Sequence, residues 1–233
     1  MTFRAANSRN LPRVYARFTK LVYRARMRFI IALFAACLFA TGAAAADLSV
    51  LVRNGAGKPV RDAVVTVHTA AAPSGPIRFA WPFRVVQQNM QFDPFVLIVP
   101  VGADVAFPNK DGVRHHVYSF SPAKSFELKL YSKDESRSVR FDKVGIIAVG
   151  CNIHDSMVAF IKVVDTPYAA KTDASGRVTI RGVAAGKASL RVWHPYMKAK
   201  GNEVARAVTL GAGPHSETVV VEVRTPAVRQ HGY

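Results

Sequence analysis

The sequence predicts an all-β protein whose central part folds as a β-sandwich. Across residues 83–165, about seven short apolar or alternating segments are separated by turn-forming residues, and none has helical periodicity. Residues 95–99 form a continuous apolar run that is typical of a buried strand. Residues 126–131 alternate, which places Leu130 with the apolar side chains and Tyr131 on the opposite face with the charged ones. Half of the chain is hydrophobic, a composition that excludes a largely disordered protein.

Further β-rich segments flank this central part. Residues 47–69 alternate on both sides of the turn sequence NGAGKP at 54–59, which predicts two strands. Residues 70–82 are rich in Ala, Pro, Ser and Gly and predict a linker. More strands are predicted near the C-terminus, at 178–180, 188–193 and 218–223.

The N-terminal segment has the order of a secretory signal. Eight Lys and Arg residues and no acidic residue occur in residues 1–46, and the apolar run at 29–46 ends in small residues. We therefore expect cleavage after Ala46, export to the periplasm and no membrane insertion afterwards. The alternative is a membrane anchor, but a span needs roughly 20 strongly apolar residues. Because a compact signal also begins at Met27, we hypothesise that translation starts there.

Cys151 is the one cysteine outside the predicted signal. The chain has two cysteines, and Cys37 lies inside the predicted signal. The exported protein would then keep Cys151 alone and form no internal disulfide. An unpaired thiol in an oxidising compartment is a liability unless it is buried or bound.

Cys151 begins a pattern of candidate metal ligands. His154 and Met157 follow at Cys-x-x-His-x-x-Met spacing, and His115 lies upstream at the edge of a predicted strand. A thiolate, two imidazoles and a thioether suit one copper ion that alternates between Cu(I) and Cu(II). Zinc is the rival metal, although a thioether argues against it. His116 competes with His115 as the upstream ligand, and strand alternation allows only one of them to face the site.

These residues resemble the cupredoxins, the blue copper proteins. The similarity lies in residues 109–117 and in the loop at 150–157, and it is strongest to amicyanin-like and bacterial methylamine utilization proteins. The resemblance implies a cupredoxin-like Greek-key β-sandwich. It also implies that His115 and His154 are the nitrogen ligands, Cys151 the thiolate and Met157 the axial ligand. His116 stands where cupredoxins usually have an Asn that fixes the cysteine loop.

The flanks resemble a different family. Residues 47–69 and 172–195 are similar to carboxypeptidase-regulatory or transthyretin-like sandwiches. This resemblance implies a second small β-sandwich into which the copper domain is inserted; the alternative is two domains in succession. The predicted organisation is a signal at 1–46, the first part of the transthyretin-like sandwich at 47–72, a linker at 73–82, the cupredoxin domain at 83–165, the second part of the flanking sandwich at 166–224 and a tail at 225–233.

The charge balance and the motifs limit the function. The chain has a net charge of +17, and without residues 1–46 it keeps 24 basic and 15 acidic residues. A basic surface favours an acidic redox partner, whereas no nucleic-acid-binding motif accompanies the charge. We expect a periplasmic type 1 copper protein that carries single electrons, and no enzyme, because no catalytic constellation is evident. The alternatives are copper storage or delivery in the periplasm and a non-metal interaction module.

We predict that a bacterial host with a periplasm removes the signal, so that the exported protein begins at Asp47. N-terminal sequencing and the intact mass of the periplasmic protein test this. Replacing the small residue at the cleavage site, Ala46→Phe, should retain the precursor. A wild-type chain that keeps residues 29–46 and fractionates with membranes would instead support the anchor.

Overall fold

The computed structural model describes residues 45–70 and 75–224, and this part of the chain is all-β, as predicted. Its only helical element is a 3-10 turn at Lys200–Asn202. The described strands are β1 (Ala45–Arg53), β2 (Val64–Thr69), β3 (Val86–Gln88), β4 (Gln91–Asp93), β5 (Val96–Pro100), β6 (Ala103–Pro108), β7 (His115–Ser121), β8 (Lys124–Tyr131), β9 (Ser136–Phe141), β10 (Gly145–Cys151), β11 (Val158–Val164), β12 (Ala169–Lys171), β13 (Arg177–Ala184), β14 (Gly186–Trp193), β15 (Glu203–Leu210) and β16 (Gly213–Val220).

The central strands form a β-sandwich of the predicted cupredoxin-like kind. One sheet has the strand order β5-β11-β10-β7-β8, in which only the β5–β11 pair is parallel. The antiparallel pair β6–β9 packs against it, and single bridges join Arg84 to Ala106 of β6 and Gln87 of β3 to Asn109. Each strand buries alternate side chains in the shared core, as the two-residue period of an extended chain requires.

This alternation brings candidate ligands inward at the ends of two neighbouring strands. Along β10 the side chains of Ile147, Val149 and Cys151 are buried, and along β7 those of His115 and Val117 are buried. Because β7 and β10 are antiparallel neighbours, the start of β7 lies beside the end of β10. His115 and Cys151 therefore meet at one end of the core.

One detail of the predicted strands is wrong. Tyr131 is buried and Leu130 is exposed, the reverse of the simple alternation. The cause is an irregularity in the pairing of β7 with β8, where His115 is opposite Tyr131 but Val117 is opposite Leu128. The additional residue on β8 turns the side chains that follow to the other face of the sheet.

The flanking strands form the predicted second sandwich. A three-stranded sheet has the order β13-β1-β16, and a four-stranded sheet has the order β12-β2-β14-β15. The first two described strands thus pair with strands from the last third of the chain, and the central strands lie between them in sequence. A core of mostly small β-branched residues joins the two sheets. The predicted residue boundaries of the domains stay predictions.

A third hydrophobic cluster joins the two sandwiches. Val96 and Ile98 of β5 pack there with Trp193 of β14. The Trp193 ring also lies edge-on to Phe160, with 6.0 Å between ring centroids. This second contact surface explains why every residue of β5 is buried, since only a strand covered on both faces has a continuous apolar sequence.

Several predictions fall outside the described residues. Residues 1–44, which hold most of the predicted signal, 71–74 and the tail at 225–233 are not described. Ala45 and Ala46 belong to β1, so that cleavage after Ala46 would shorten this strand to Asp47–Arg53. In the described ranges, no helix has the length and the apolar character needed to cross a membrane.

The cluster between the sandwiches should contribute strongly to stability. We predict that Trp193→Ala lowers the free energy of unfolding by about 3–5 kcal/mol, because it opens a cavity among buried side chains. The matched control is Phe120→Ala, which removes an aromatic side chain that is 83% exposed and should change stability by less than about 0.5 kcal/mol. Urea unfolding followed by circular dichroism measures both. Equal effects of the two substitutions would contradict this role of Trp193.

Candidate metal centre

The loop that follows β10 is closed by its own backbone. The Cys151 amide donates to the Met157 carbonyl at 3.3 Å, and the Met157 amide donates to the His154 carbonyl at 2.9 Å. The Asn152 amide donates to the His116 carbonyl of the neighbouring strand at 3.1 Å. These bonds hold the sequence Cys-x-x-His-x-x-Met as one compact loop against β7.

Three of the four predicted ligands lie together. Nδ1 of His115 and Nδ1 of His154 are each 3.8 Å from Sγ of Cys151. The two imidazole rings meet edge to face with 5.0 Å between their centroids. One donor atom of each residue lies within 4.8 Å of the others, a spacing from which all three atoms can face one ion. The Cys151 side chain is buried, with 3% exposure, and His154 is partly exposed.

Met157 reaches the same region through the core. Its side chain is buried in the hydrophobic cluster that also contains Cys151. Its backbone carbonyl accepts the hydrogen bond from the Cys151 amide described above. Met157 therefore stands next to the cysteine at the base of the loop, among the apolar side chains of the sandwich.

His116 points away from this cluster. Its Nε2 lies 2.9 Å from Oε1 of Glu127, an ion-pair contact rather than an aligned hydrogen bond. Its ring contacts Tyr118 edge to face at 6.2 Å. Of the two competing histidines, it is therefore His115 that lies beside Cys151. The His116 backbone carbonyl, rather than its side chain, is what holds Asn152.

A carboxylate behind His115 was missed in the sequence. Oδ2 of Asp111 lies 2.7 Å from Nε2 of His115. Oδ1 accepts from the Asn89 amide at 2.6 Å and Oδ2 from the Met90 amide at 3.0 Å, both in the β3–β4 turn. Burial raises the pKa of Asp111, but the hydrogen bonds from His115 and from the Met90 and Asn89 amides outweigh it and lower the pKa overall. The sequence offered one signal, an Asp four residues before the His, inside what reads as an ordinary turn.

The turn that carries Asp111 is anchored by a buried amide. Nδ2 of Asn109 donates to the Val113 carbonyl at 2.8 Å and to the Tyr131 carbonyl at 3.2 Å. Oδ1 of the same side chain accepts from the Asp111 amide at 2.9 Å. Asn109 thereby fixes both ends of the turn that precedes His115.

A buried phenol adds rigidity close to the site. The Tyr131 hydroxyl donates to the Phe107 carbonyl at 2.8 Å, and Nε2 of Gln87 donates to the Tyr131 oxygen at 2.5 Å. Burial raises the pKa of Tyr131 to about 12, so the phenol keeps its proton. Strand alternation in the sequence predicted Tyr131 on the face with the charged side chains, and no sequence signal indicated a role for Gln87.

The donor set has the chemistry of a site for a soft metal. Nε2 of His115 faces the Asp111 carboxylate, and Nδ1 faces Sγ of Cys151. A thiolate and imidazole nitrogens bind both copper and zinc. Met157, which is buried in the same hydrophobic cluster as Cys151, offers a thioether, and a thioether donor favours copper. The residues present therefore fit a copper ion.

Comparisons with known proteins give matches among solved structures. A purple cupredoxin from Nitrosopumilus maritimus is 20% identical over 35% of this chain and 98% of its own, with a TM-score of 0.32. A mutant of amicyanin in its reduced Cu(I) form is 18% identical over 43% of this chain and 98% of its own, with a TM-score of 0.34.

The copper-containing nitrite reductase of Thermus scotoductus SA-01 is 24% identical over 50% of this chain and 28% of its own, with a TM-score of 0.35. No protein-family profile and no curated protein matches the chain. Of these three solved structures, the one from Nitrosopumilus maritimus is itself described as a cupredoxin.

Proposed function

We propose that this protein binds one copper ion through His115, Cys151, His154 and Met157 and carries single electrons between redox partners. The observation that carries the proposal is the position of Cys151 Sγ, which lies 3.8 Å from Nδ1 of His115 and 3.8 Å from Nδ1 of His154. Two histidines and a cysteine with a weak Met ligand are the donor set of blue-copper electron-transfer sites. Copper bound there would supply a one-electron couple.

The residues that surround the donors suit electron transfer. His115, Cys151 and Met157 are buried, which keeps water from the donor atoms. Their positions are held by strand pairing and by the backbone bonds of the loop. A rigid donor set changes little between two oxidation states, so little energy is lost in rearrangement when an electron moves.

The same donor set argues for a carrier rather than an enzyme. Four protein ligands leave no open position for a substrate, whereas catalytic metal sites keep one. Burial of His115, Cys151 and Met157 also opposes rapid exchange of the ion with another protein, which delivery requires. His154 is the candidate ligand with partial exposure and is the natural route for an electron to a partner.

The partner we propose is an acidic redox protein in the periplasm. The N-terminal segment has the order of a secretory signal, and the remaining chain is basic. Val113 and Ile153 are exposed apolar side chains, the first in the turn before His115 and the second in the loop that carries His154. Apolar contact there, with the exposed Arg114 next to Val113 in the chain, would suit a transient complex with an acidic surface.

The first experiment tests the metal and its ligands. We predict that the copper-loaded exported protein has intense visible thiolate-to-copper absorption and that Cys151→Ser abolishes it. His115→Asn should remove the band, whereas the matched variant His116→Asn should keep it, because His116 faces Glu127. Metal analysis and optical and paramagnetic-resonance spectra of the four proteins measure this.

Two outcomes of that experiment contradict the proposal. Full copper loading without the absorption band would exclude a blue-copper carrier. A chain that binds no copper would favour the non-metal interaction module built on the flanking sandwich.

A second experiment separates carriage from delivery. We predict that the loaded protein is reduced and reoxidised repeatedly by a small redox reagent without losing copper, because its donors are buried in a rigid core. The copper content after each cycle and in the presence of a metal-free acceptor protein is the measurement. Rapid transfer of copper to the acceptor without a change of oxidation state would favour storage or delivery.

A further inference from the structure

We propose that Asp111 is a positioning residue for the metal centre, which fixes the proton of His115 on Nε2 and holds an uncompensated negative charge that favours the oxidised state of the bound metal. This inference rests on the proposed function. None of the four predicted ligands is acidic, so the role of Asp111 follows from its contacts in the folded chain.

The first support is the directness of the contact. The Asp111 carboxylate lies 2.7 Å from Nε2 of His115, and its side chain is 12% exposed while that of His115 is fully buried. A neutral imidazole that donates from Nε2 has a free lone pair on Nδ1. Nδ1 is the atom that faces Cys151 at 3.8 Å. The carboxylate thus selects the tautomer in which His115 can bind a metal beside the thiol.

The second support is that Asp111 cannot turn away. Its two oxygens accept from the Asn89 and Met90 amides, and its own amide donates to Asn109. Asn89 and Met90 have positive φ angles of 55° and 54°, so the turn aims both amides at the carboxylate. The Asp111 carboxylate is therefore fixed by the backbone amides of the β3–β4 turn and contacts Nε2 of His115.

The third support is that no cation neutralises Asp111. Among the described residues, no Lys or Arg nitrogen lies within 4.0 Å of its carboxylate, and His115 is its only ion-pair contact. The neighbouring Lys110 pairs with Asp134 instead, at 2.9 Å. Backbone amides stabilise the anion without cancelling its charge. A fixed negative charge one imidazole away from the metal favours Cu(II) over Cu(I) and so lowers the reduction potential.

The main test compares reduction potentials of copper-loaded proteins. Asp111→Asn removes the charge and keeps the size, and we expect its potential to rise above that of the wild type. Asp111→Glu keeps the charge and should remain closer to the wild type. The matched control is Asp134→Asn, which removes an acid that is 65% exposed and already paired with Lys110, and it should shift the potential far less.

A second measurement uses metal-free wild-type protein and needs no variant. Nuclear magnetic resonance of the ring nitrogens should find the proton of neutral His115 on Nε2 and none on Nδ1. A proton on Nδ1 with a bare Nε2 would overturn the proposal, even if every Asp111 variant failed to fold.

The outcomes separate this inference from the proposed function. If the wild type shows the copper band but Asp111→Asn shifts the potential no more than Asp134→Asn, the charge effect of Asp111 is refuted and the carrier stands. Equal shifts for Asp111→Asn and Asp111→Glu would likewise assign it a purely structural role. Absence of the copper band in the wild type would refute the carrier, while the tautomer of His115 in the metal-free protein would still decide the positioning role.

Discussion

The candidate metal centre depends on the short antiparallel ladder between β7 and β10. Cys151 pairs with Val117 and Gly150 with Tyr118, and this register places His115 beside the thiol. A slip by one residue would turn His116 inward and His115 outward, because side chains alternate along a strand. Gly150 lets the Tyr118 ring lie close to β10, since a Cβ there would be 3.1 Å from the ring and the ring would have to shift by a few tenths of an ångström.

The flanking sandwich packs on the strands of the same sheet that lie beyond the β7–β10 ladder. Its Trp193 packs on β5 and β11, the strands that continue the sheet beyond β10. Lys162 of β11 also bonds Glu203 at 2.8 Å and lies 5.5 Å from the centre of the Trp193 ring. The flanking sandwich thereby covers the β5 and β11 half of the outer face of the five-stranded sheet. On the other half Phe120 stays exposed, so the two sandwiches leave the β7 side of the sheet free.

The local sequence pattern predicts some features of the fold and of the candidate site and misses others. The all-β class follows from alternation and turn residues, which are local properties, and the spacing in the loop puts His154 near Cys151 whatever the rest of the fold does. The positions of Asp111 and Tyr131, in contrast, are set by contacts between segments that are distant in the sequence. Tyr131 turns inward only because of the irregular pairing with β7, and Asp111 matters only because the turn at Asn89 faces it. The ligand roles of the four site residues stay a prediction.

Burial of so many polar groups at one end of a hydrophobic core needs a physical reason. A buried imidazole, carboxylate or phenol is costly unless each polar atom has a partner. Here the partners lie on the side away from the thiol: Asp111 bonds His115 from behind, and the Phe107 carbonyl accepts from Tyr131. Sγ of Cys151 and Nδ1 of His115 and His154, in contrast, have mainly one another, at 3.8 Å. His115 and Tyr131 thus have polar partners on the side away from the thiol, while the three donor atoms face a common centre, an arrangement that a metal ion would complete.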